Sequence, residues 1–153
     1  MSTTTLAADI RAATHSDLAA IERLLTASSL PLDGVSEAVA AFVVAEAGGG
    51  VLVGVAGLEV CCNNALLRSV AVDPAWRSHG IGRALVTRLI ADAESRGIHA
   101  LYLLTTSAER YFPGFGFREI TRDEVPEDVR ATAEFRSACP ASATVMRRPV
   151  TAT

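Results

Sequence analysis

The sequence contains no lysine, and its fourteen basic residues are all arginines, scattered along the chain without a basic run. Seventeen acidic residues give a formal net charge of −3. Nucleic acid is therefore not an expected partner, because proteins bind it through clustered basic side chains.

Long apolar runs are also absent, since the longest, Val51 to Val60, is far shorter than a membrane span. Residues 1–9 lack the features of a signal peptide, so we expect a cytoplasmic protein with no membrane partner.

Cysteine is scarce as well, with three residues at positions 61, 62 and 139. An odd number of cysteines, two of them adjacent, does not make a disulfide framework. No C-x-x-C spacing of the kind that holds zinc is present. We expect reduced thiols and no metal site.

Apolar residues are plentiful and make up half of the 153 residues, whereas one fifth are charged. A chain of this length buries about 70% of its unfolded surface, which is enough for one sizeable core. No repeat, low-complexity tract or linker divides the sequence. We predict one domain over residues 1–153, with flexible ends at about 1–6 and 151–153.

The first half of the chain predicts a strand, two helices and an antiparallel meander. Asp9 to Ala13 has strand character, and the polar residues Thr14 to Asp17 can cap a helix over about 17–27. A loop rich in proline and glycine separates this helix from a shorter one near 35–41. The three meander strands are predicted over Phe42–Glu46, Val51–Val60 and Ala65–Val72.

The second half opens with the strongest helical pattern, over Gly80 to Arg96, where apolar residues recur at helical spacing. The elements predicted after it are a strand over Ala100–Thr105, a short helix over Ser107–Phe112, a strand region from Gly116, a helix after Pro126 and a last strand over about Ser142–Arg148. Hairpins and a crossover helix occur together in this order. The fold class is therefore α/β (α+β), with a mixed sheet.

The turn Arg77-Ser78-His79-Gly80-Ile81-Gly82 opens the strongest helix. A helix N-terminus offers unpaired backbone amides and a partial positive charge, which together bind a pyrophosphate. Gly80 and Gly82 remove side chains that would block the approach, and Arg77 adds a charge-assisted contact. The same pattern also occurs in ordinary turns, where Gly80 would simply be a cap. Neither a P-loop nor a dinucleotide fingerprint is present.

Two blocks of the sequence resemble the GNAT superfamily, the Gcn5-related N-acetyltransferases. Val70-Ala71-Val72-Asp73-Pro74-Ala75-Trp76-Arg77 leads into the turn as it does in the superfamily signature [QR]-x-x-G-x-[GA]. The second block runs from Ala108 through Tyr111-Phe112 to Gly116-Phe117. The similarity spans most of the chain. It implies a mixed, mostly antiparallel sheet with helices on both faces and a splayed cleft that binds the cofactor.

Within the superfamily, the sequence most resembles the acetyltransferases encoded in arsenic-resistance operons. The residues that carry this likeness are Leu67-Arg68-Ser69-Val70-Ala71-Val72, Leu103-Leu104-Thr105-Thr106, Glu134-Phe135 and Cys139-Pro140. The cysteines then raise the alternative of a thiolate site for trivalent arsenic. Adjacent cysteines on a strand point to opposite faces, however, so small buried residues are the plainer interpretation.

The superfamily resemblance implies acetyl-CoA as the co-substrate. Its pyrophosphate would lie beside Arg77, on the backbone amides of Ser78, His79, Gly80, Ile81, Gly82 and Arg83. Its pantetheine would lie along the strand residues Val70, Ala71 and Val72. Thr105 stands where the family has an asparagine and joins this set. The His79 side chain is expected to be in solvent, with only its amide engaged.

The resemblance also implies that the enzyme positions a neutral amine beside the thioester, with a base that takes one proton and an acid that returns one to the thiolate. The usual acid is a tyrosine at the position that Phe112 occupies here. Tyr111 is the candidate in its place, although one residue along a helix turns a side chain by about 100°. The alternative for Tyr111 is a core or surface aromatic.

Two further charged residues are candidates for the site. Glu59, near the end of the second meander strand, is the candidate base, directly or through a water; its alternative is a solvated residue at a strand end. Arg68, with Ser69 beside it, is the candidate contact for an acid group of the acceptor, because a guanidinium grips an oxyanion as a fork. Its alternative is a salt bridge at the rim.

These residues predict an acetyl-CoA-dependent N-acetyltransferase that acts on the amine of a small molecule, including amino-acid-like or organoarsenical toxins. One alternative is a non-catalytic acetyl-CoA-binding module, which Phe112 at the acid position would suit. Another is an acetyltransferase acting on a protein amine, for which an open acidic groove is expected. Exposed strand edges in such a sheet often pair, so a homodimer is one of the alternatives for the oligomeric state.

Overall fold

The computed structural model describes residues 8–106, 108–133, 135 and 143–150. The predicted flexible ends, Glu134 and Cys139-Pro140 lie outside these ranges. Within them, no helix is long and apolar enough to cross a membrane.

In the part of the chain that the structure describes, seven strands form a single sheet. They are β1 (Asp9–Ala12), β2 (Phe42–Glu46), β3 (Leu52–Cys61), β4 (Asn64–Val72), β5 (Ala100–Thr105), β6 (Arg118–Ile120) and β7 (Thr144–Pro149). Their order in the sheet is β1-β2-β3-β4-β5-β7-β6. Every neighbouring pair is antiparallel except β4 and β5. The predicted mixed, mostly antiparallel sheet is confirmed, and β1 and β6 are its outer strands.

α-Helices connect these strands. Those whose bounds lie within the described residues are α1 (Leu18–Ala27), α2 (Val35–Ala38), α3 (Ile81–Ser95) and α4 (Glu127–Arg130). The predicted short helix over Ser107–Phe112 is wrong: residues 109–111 form turns, and a 3-10 helix follows at Phe112–Phe115. The physical reason is Pro113, which has no amide proton to donate and disfavours α conformation in the residue before it.

Helices cover both faces of the sheet, as predicted. Strand β2 illustrates how, because its side chains alternate between the faces. Val43 and Ala45 pack in one core cluster with Leu85 and Leu89 of α3. Phe42 and Val44 pack on the other face with Ile21 and Leu25 of α1. A smaller third cluster lies under α4 and contains Val129, Leu66 and Tyr102.

A charged cluster joins strand β1 to the start of α1. The Arg11 guanidinium donates to both carboxylate oxygens of Asp17, at 2.8 and 2.9 Å, and to Glu46 at 2.6 Å. Asp17 also accepts the amide proton of Thr14 at 2.8 Å, so it caps the turn before α1. The hydrogen bonds from Arg11 hold the pKa of Asp17 at about 2, below its usual 3.8.

We expect Asp17→Asn to lower the free energy of unfolding by about 1 kcal/mol at pH 6, because it removes a charge-assisted pair that is partly screened by solvent. Since the folded pKa is depressed, this stabilisation is present above about pH 4 and is lost as the pH falls towards 2. Urea denaturation at pH 6 and pH 3 measures the difference between wild type and variant. If the difference in the free energy of unfolding is as large at pH 3 as at pH 6, the stabilisation does not come from the ionised Asp17 carboxylate.

Candidate functional site

The sheet opens between its two parallel strands. β4 and β5 are paired only over Asn64–Ala100, Ala65–Leu101 and Leu66–Tyr102. Beyond Leu66 the strands diverge, although β4 continues to Val72 and β5 to Thr105. In the described structure, the β4–β5 pairing therefore ends before Leu67. A gap of this kind lets a bound molecule lie against an open strand edge inside the sheet.

Strand β4 carries a bulge at the mouth of this gap. Val55 of β3 is opposite Ala71, whereas Gly57 is opposite Arg68, so β4 has one extra residue between these pairs. Ser69 lies in this stretch with φ +63°, in the left-handed region that residues other than glycine seldom adopt. A bulge bends its strand and changes the direction of its side chains, and bulges are common beside active sites.

The turn after β4 places a helix N-terminus at the same end of the gap. Ser78 (φ +68°) and Gly80 (φ +80°) have left-handed backbone, and Gly80 is the N-cap of α3. Ala84 donates to the Gly80 carbonyl at 3.0 Å, so the amides of residues 81–83 have no acceptor within the helix. A Cβ on Gly80 would meet no protein atom within 4 Å. The turn is therefore open to an anion, as a pyrophosphate site requires.

A cleft of about 570 Å³ runs along this turn and the end of β4. Its walls are formed by Ser28, Leu30, Val70, Ala71, Val72, Trp76, Arg77, Ser78, Gly80, Ile81, Gly82, Arg83 and Tyr111. The structure thus brings together nine of the residues predicted to bind the cofactor. His79 is exposed and does not line the cleft. Arg77 donates to the Val72 carbonyl at 3.2 Å, which holds its side chain across the end of β4.

A second cavity of about 300 Å³ occupies the gap between β4 and β5. It is lined by Leu30, Leu67, Arg68, Ser69, Val70, Leu103, Leu104, Thr105, Ala108, Tyr111 and Phe112. Leu30, Val70 and Tyr111 line both cavities, so the two adjoin at these side chains. Thr105 lies here rather than in the larger cleft, and its hydroxyl accepts the amide proton of Ala108 at 2.8 Å.

Tyr111 and Phe112 have different environments. Phe112 is buried against Phe117, with ring centroids 5.7 Å apart. Tyr111 is 42% exposed, and its hydroxyl oxygen lies 3.4 Å from the position that a Cβ on Gly82 would take. Partial burial raises the pKa of Tyr111, against a smaller opposing effect of the Arg83 charge. Tyr111, and not Phe112, therefore presents a polar group where the two cavities meet.

Arg68 and Glu59 form an ion pair at 2.9 Å, in which the Arg68 side chain is fully buried and that of Glu59 is 16% exposed. Arg68 also donates to the carbonyls of Pro31 and Asp33, and Glu59 accepts the amide proton of Ala133. Both side chains are therefore already engaged by protein atoms. Their predicted roles, as acceptor contact and as base, stay predictions.

Three residues in the walls of the larger cleft were not predicted from the sequence: Ser28, Leu30 and Trp76. Only Trp76 had a signal, because it stands in the block that leads into the turn. Among the described residues, no cluster of His, Cys, Asp or Glu could hold a metal ion. Cys62 is exposed in the turn between β3 and β4, so the expectation of a buried cysteine on a strand is wrong for this residue; Cys139 lies outside the described residues.

Comparisons with known sequences agree on one family. The model of the acetyltransferase (GNAT) domain matches residues 38–119. An amino-acid acetyltransferase of Mycobacterium tuberculosis is 36% identical over 129 residues, which cover 78% of this chain and 74% of that protein. The [ribosomal protein bS18]-alanine N-acetyltransferase of Escherichia coli is 36% identical over 67 residues. That match covers 41% of this chain and less than half, 45%, of the E. coli protein.

Solved structures give the same result. The Rv2747 protein of M. tuberculosis, in complex with CoA, has a TM-score of 0.79 and 31% identity, over 94% of this chain and 99% of that one. The N-acetylglutamate synthase of Neisseria gonorrhoeae, in complex with coenzyme A and N-acetyl-glutamate, has a TM-score of 0.80 and 25% identity. The match covers 95% of this chain but only 35% of the synthase, so this chain corresponds to about a third of that protein.

Proposed function

The chain belongs to the GNAT family of acetyltransferases, enzymes with acetyl-CoA as the co-substrate, and we propose that its acceptor is the amine of an amino acid or an amino-acid-like small molecule. The observation that carries this proposal is the 300 Å³ cavity in the sheet gap, which adjoins the larger cleft at Tyr111. A cavity of this size is at the lower end of the range for small-molecule sites. The M. tuberculosis amino-acid acetyltransferase and the N. gonorrhoeae synthase support the same acceptor class.

The residues of the larger cleft fit the co-substrate. Its pyrophosphate would lie on the amides at the start of α3, next to Arg77, with space left by Gly80 and Gly82. The extended pantetheine would lie along Val70 to Val72, on the edge of β4 that is not paired with β5. The thioester would then reach the junction of the two cavities.

At the junction, transfer forms a C–N bond and breaks the C–S bond, so the enzyme has to place two reactants and manage two protons. We assign Tyr111 as the acid that protonates the departing thiolate, because its hydroxyl stands where the cavities meet. Its raised pKa keeps it protonated at neutral pH. Ser69 and Arg68 line the cavity proposed for the acceptor, whereas Glu59 lines neither this cavity nor the larger cleft.

Two finer hypotheses concern the identity of the acceptor. The resemblance to acetyltransferases of arsenic-resistance operons extends the proposed class to organoarsenical amino-acid analogues. The E. coli relative acts, by its name, on the alanine of a ribosomal protein, which makes a peptide N-terminus the alternative. The small cavity favours a free amino acid over a peptide.

An acceptor panel tests the proposal, with CoA release followed by a thiol-reactive dye. The panel holds the common L-amino acids, an arsenical amino-acid analogue and a short peptide that begins with alanine. We expect at least one free amino acid or analogue to accelerate CoA release, and its N-acetylated form to have no effect. A response to the peptide alone would support the protein-amine alternative. Acetyl-CoA binding with no response to any amine would support the non-catalytic module.

A further inference from the structure

Arg68 is the centre of a buried hydrogen-bond network beside the acceptor cavity. Only 2% of the residue is exposed. Its Nη1 donates to the Asp33 carbonyl at 2.5 Å and to Glu59 Oε1 at 2.9 Å, and its Nη2 donates to the Pro31 carbonyl at 3.3 Å. Its Nε donates to the Ser69 hydroxyl at 3.0 Å. One guanidinium thus fixes a carboxylate, a hydroxyl and two points of a loop.

The loop that Arg68 holds, residues 30–34 between α1 and α2, forms one wall of the site. Leu30, at its start, lines both cavities. At its end, Gly34 has φ +79°, and a Cβ there would lie 2.6 Å from the Ala133 Cβ and 3.2 Å from Arg68 Nη1. The loop is therefore packed tightly against the Arg68 side chain and requires glycine at this point.

Glu59 extends the network to a second segment. It balances the buried charge of Arg68, which by itself would be costly to desolvate. Its other oxygen, Oε2, accepts the amide proton of Ala133 at 2.5 Å. Strands β3 and β4, the loop 30–34 and residue 133 therefore all converge on one ion pair.

We propose that Arg68 and Glu59 are positioning residues, which hold the loop 30–34 and the Ser69 hydroxyl in place and so shape the acceptor cavity, rather than binding the acid group of the acceptor or taking its proton. This inference rests on the proposed function. It replaces the predicted roles of Arg68, as the contact for the acid group of the acceptor, and of Glu59, as the base. Both oxygens of Glu59 accept hydrogen bonds from protein groups. The Arg68 guanidinium is fully buried and donates from all three nitrogens to protein atoms.

The test uses Arg68→Gln, Glu59→Gln and the double variant, with Gly34→Ala as a variant that disturbs the loop and keeps both charges. Arg88→Gln is the matched control, because Arg88 forms a half-exposed pair with Asp92 on α3 and lines neither cavity. Steady-state kinetics are measured with the best amino acid of the panel and with its amide, which lacks the carboxylate. The affinity for acetyl-CoA is measured from the fluorescence of Trp76, the single tryptophan, which lines the larger cleft.

We expect each single variant of the network to raise the acceptor KM about tenfold or more, by the same factor for the acid and the amide. Acetyl-CoA affinity should stay within about twofold of wild type, and Arg88→Gln should change neither value. The acceptor KM of the double variant should rise by less than the product of the two single increases, because the two residues act as one unit. An increase in KM for the acid alone would mean that Arg68 binds the carboxylate of the acceptor, and this result would overturn the proposal. If the pH profile of kcat has an acidic limb in wild type that Glu59→Gln lacks, Glu59 acts as the base, and this result would overturn the proposal too.

A second measurement needs no acceptor and separates this inference from the proposed function. Leu32 is 40% exposed in the loop, so chymotrypsin can cleave after it once the loop is released. Cleavage at Leu32 should accelerate about fivefold or more in the three single variants, and not in Arg88→Gln. If wild type acetylates nothing but this acceleration is seen, the proposed function fails while the positioning role stands. Unchanged cleavage in Arg68→Gln would overturn the positioning role.

Discussion

Gly82→Val is expected to weaken acetyl-CoA binding roughly 100-fold, which corresponds to about 2.7 kcal/mol. Gly82 lies in the first turn of α3, where the amides face the cleft. A Cβ there would stand 3.4 Å from the Tyr111 hydroxyl and 3.8 Å from Val72 Cγ2. These contacts leave room for one methyl group, but the branches of valine would extend into the space between the turn and β4. Gly82→Ala should therefore bind acetyl-CoA with a much smaller loss.

Isothermal titration of acetyl-CoA into each variant measures this effect, and the loss should be the same with CoA itself. Gly48→Val is the matched control, because a Cβ on Gly48 would meet nothing within 4 Å and Gly48 lines neither cavity. Equal thermal stability of Gly82→Val and Gly48→Val would show that the loss is local. Wild-type affinity in Gly82→Val would contradict the placement of the co-substrate on this turn.

Tyr111→Phe is expected to lower kcat by roughly 100-fold, at the low end of the range for general acid catalysis, because a thiolate is already a good leaving group. Acetyl-CoA affinity should change little, since the ring remains. The raised pKa of Tyr111 keeps the phenol protonated, so wild-type kcat should fall only above about pH 10, the ordinary tyrosine value. The variant should lack this alkaline limb.

The control for Tyr111→Phe is Tyr102→Phe, which alters the other tyrosine of the chain. Tyr102 is buried, and its hydroxyl accepts a hydrogen bond from Arg147 at 3.2 Å, away from both cavities. It should retain wild-type kcat. If Tyr111→Phe is as active as this control over the whole pH range, Tyr111 is not the acid and the thiolate leaves unaided.

Local patterns in the sequence were sufficient for most of the fold. The strands Phe42–Glu46 and Ala100–Thr105 have the predicted bounds, because runs of apolar and β-branched residues are flanked there by turn residues. The helix predicted over Gly80–Arg96 is observed at Ile81–Ser95, because apolar residues recur there at helical spacing. The helix predicted over Ser107–Phe112 is not observed, because Pro113 removes an amide donor that an α-helix in this segment would need.

The site was less predictable, since its residues meet only through tertiary structure. The turn at 77–82 is contiguous, so its chemistry can be inferred from a short motif. Leu30 comes from a distant loop, and no motif marks it among the residues of that loop as one that lines the cleft. Tyr111 and Phe112 are neighbours in sequence, and only the fold shows that Tyr111 lines both cavities, whereas Phe112 packs against Phe117 and lines the smaller cavity alone.

The surroundings of Arg68 could not be predicted from the sequence either, because its hydrogen-bond partners also meet it only through tertiary structure. An arginine flanked by leucines on a strand near the cleft predicts a contact with an anionic substrate. In the fold, the Arg68 side chain is fully buried, and the carbonyls of Pro31 and Asp33 accept hydrogen bonds from its guanidinium. These acceptors come from backbone more than thirty residues away, which no pattern around Arg68 indicates.

The most direct test of the proposed function is identification of the product. The enzyme is incubated with acetyl-CoA carrying a ¹³C-labelled acetyl group and the best acceptor of the panel, and the products are analysed by mass spectrometry and NMR. We expect one labelled acetyl group in amide linkage on the amine of the small molecule, with one CoA released for each. CoA release without a labelled amide, or label found only on protein, would show that the proposed function is wrong.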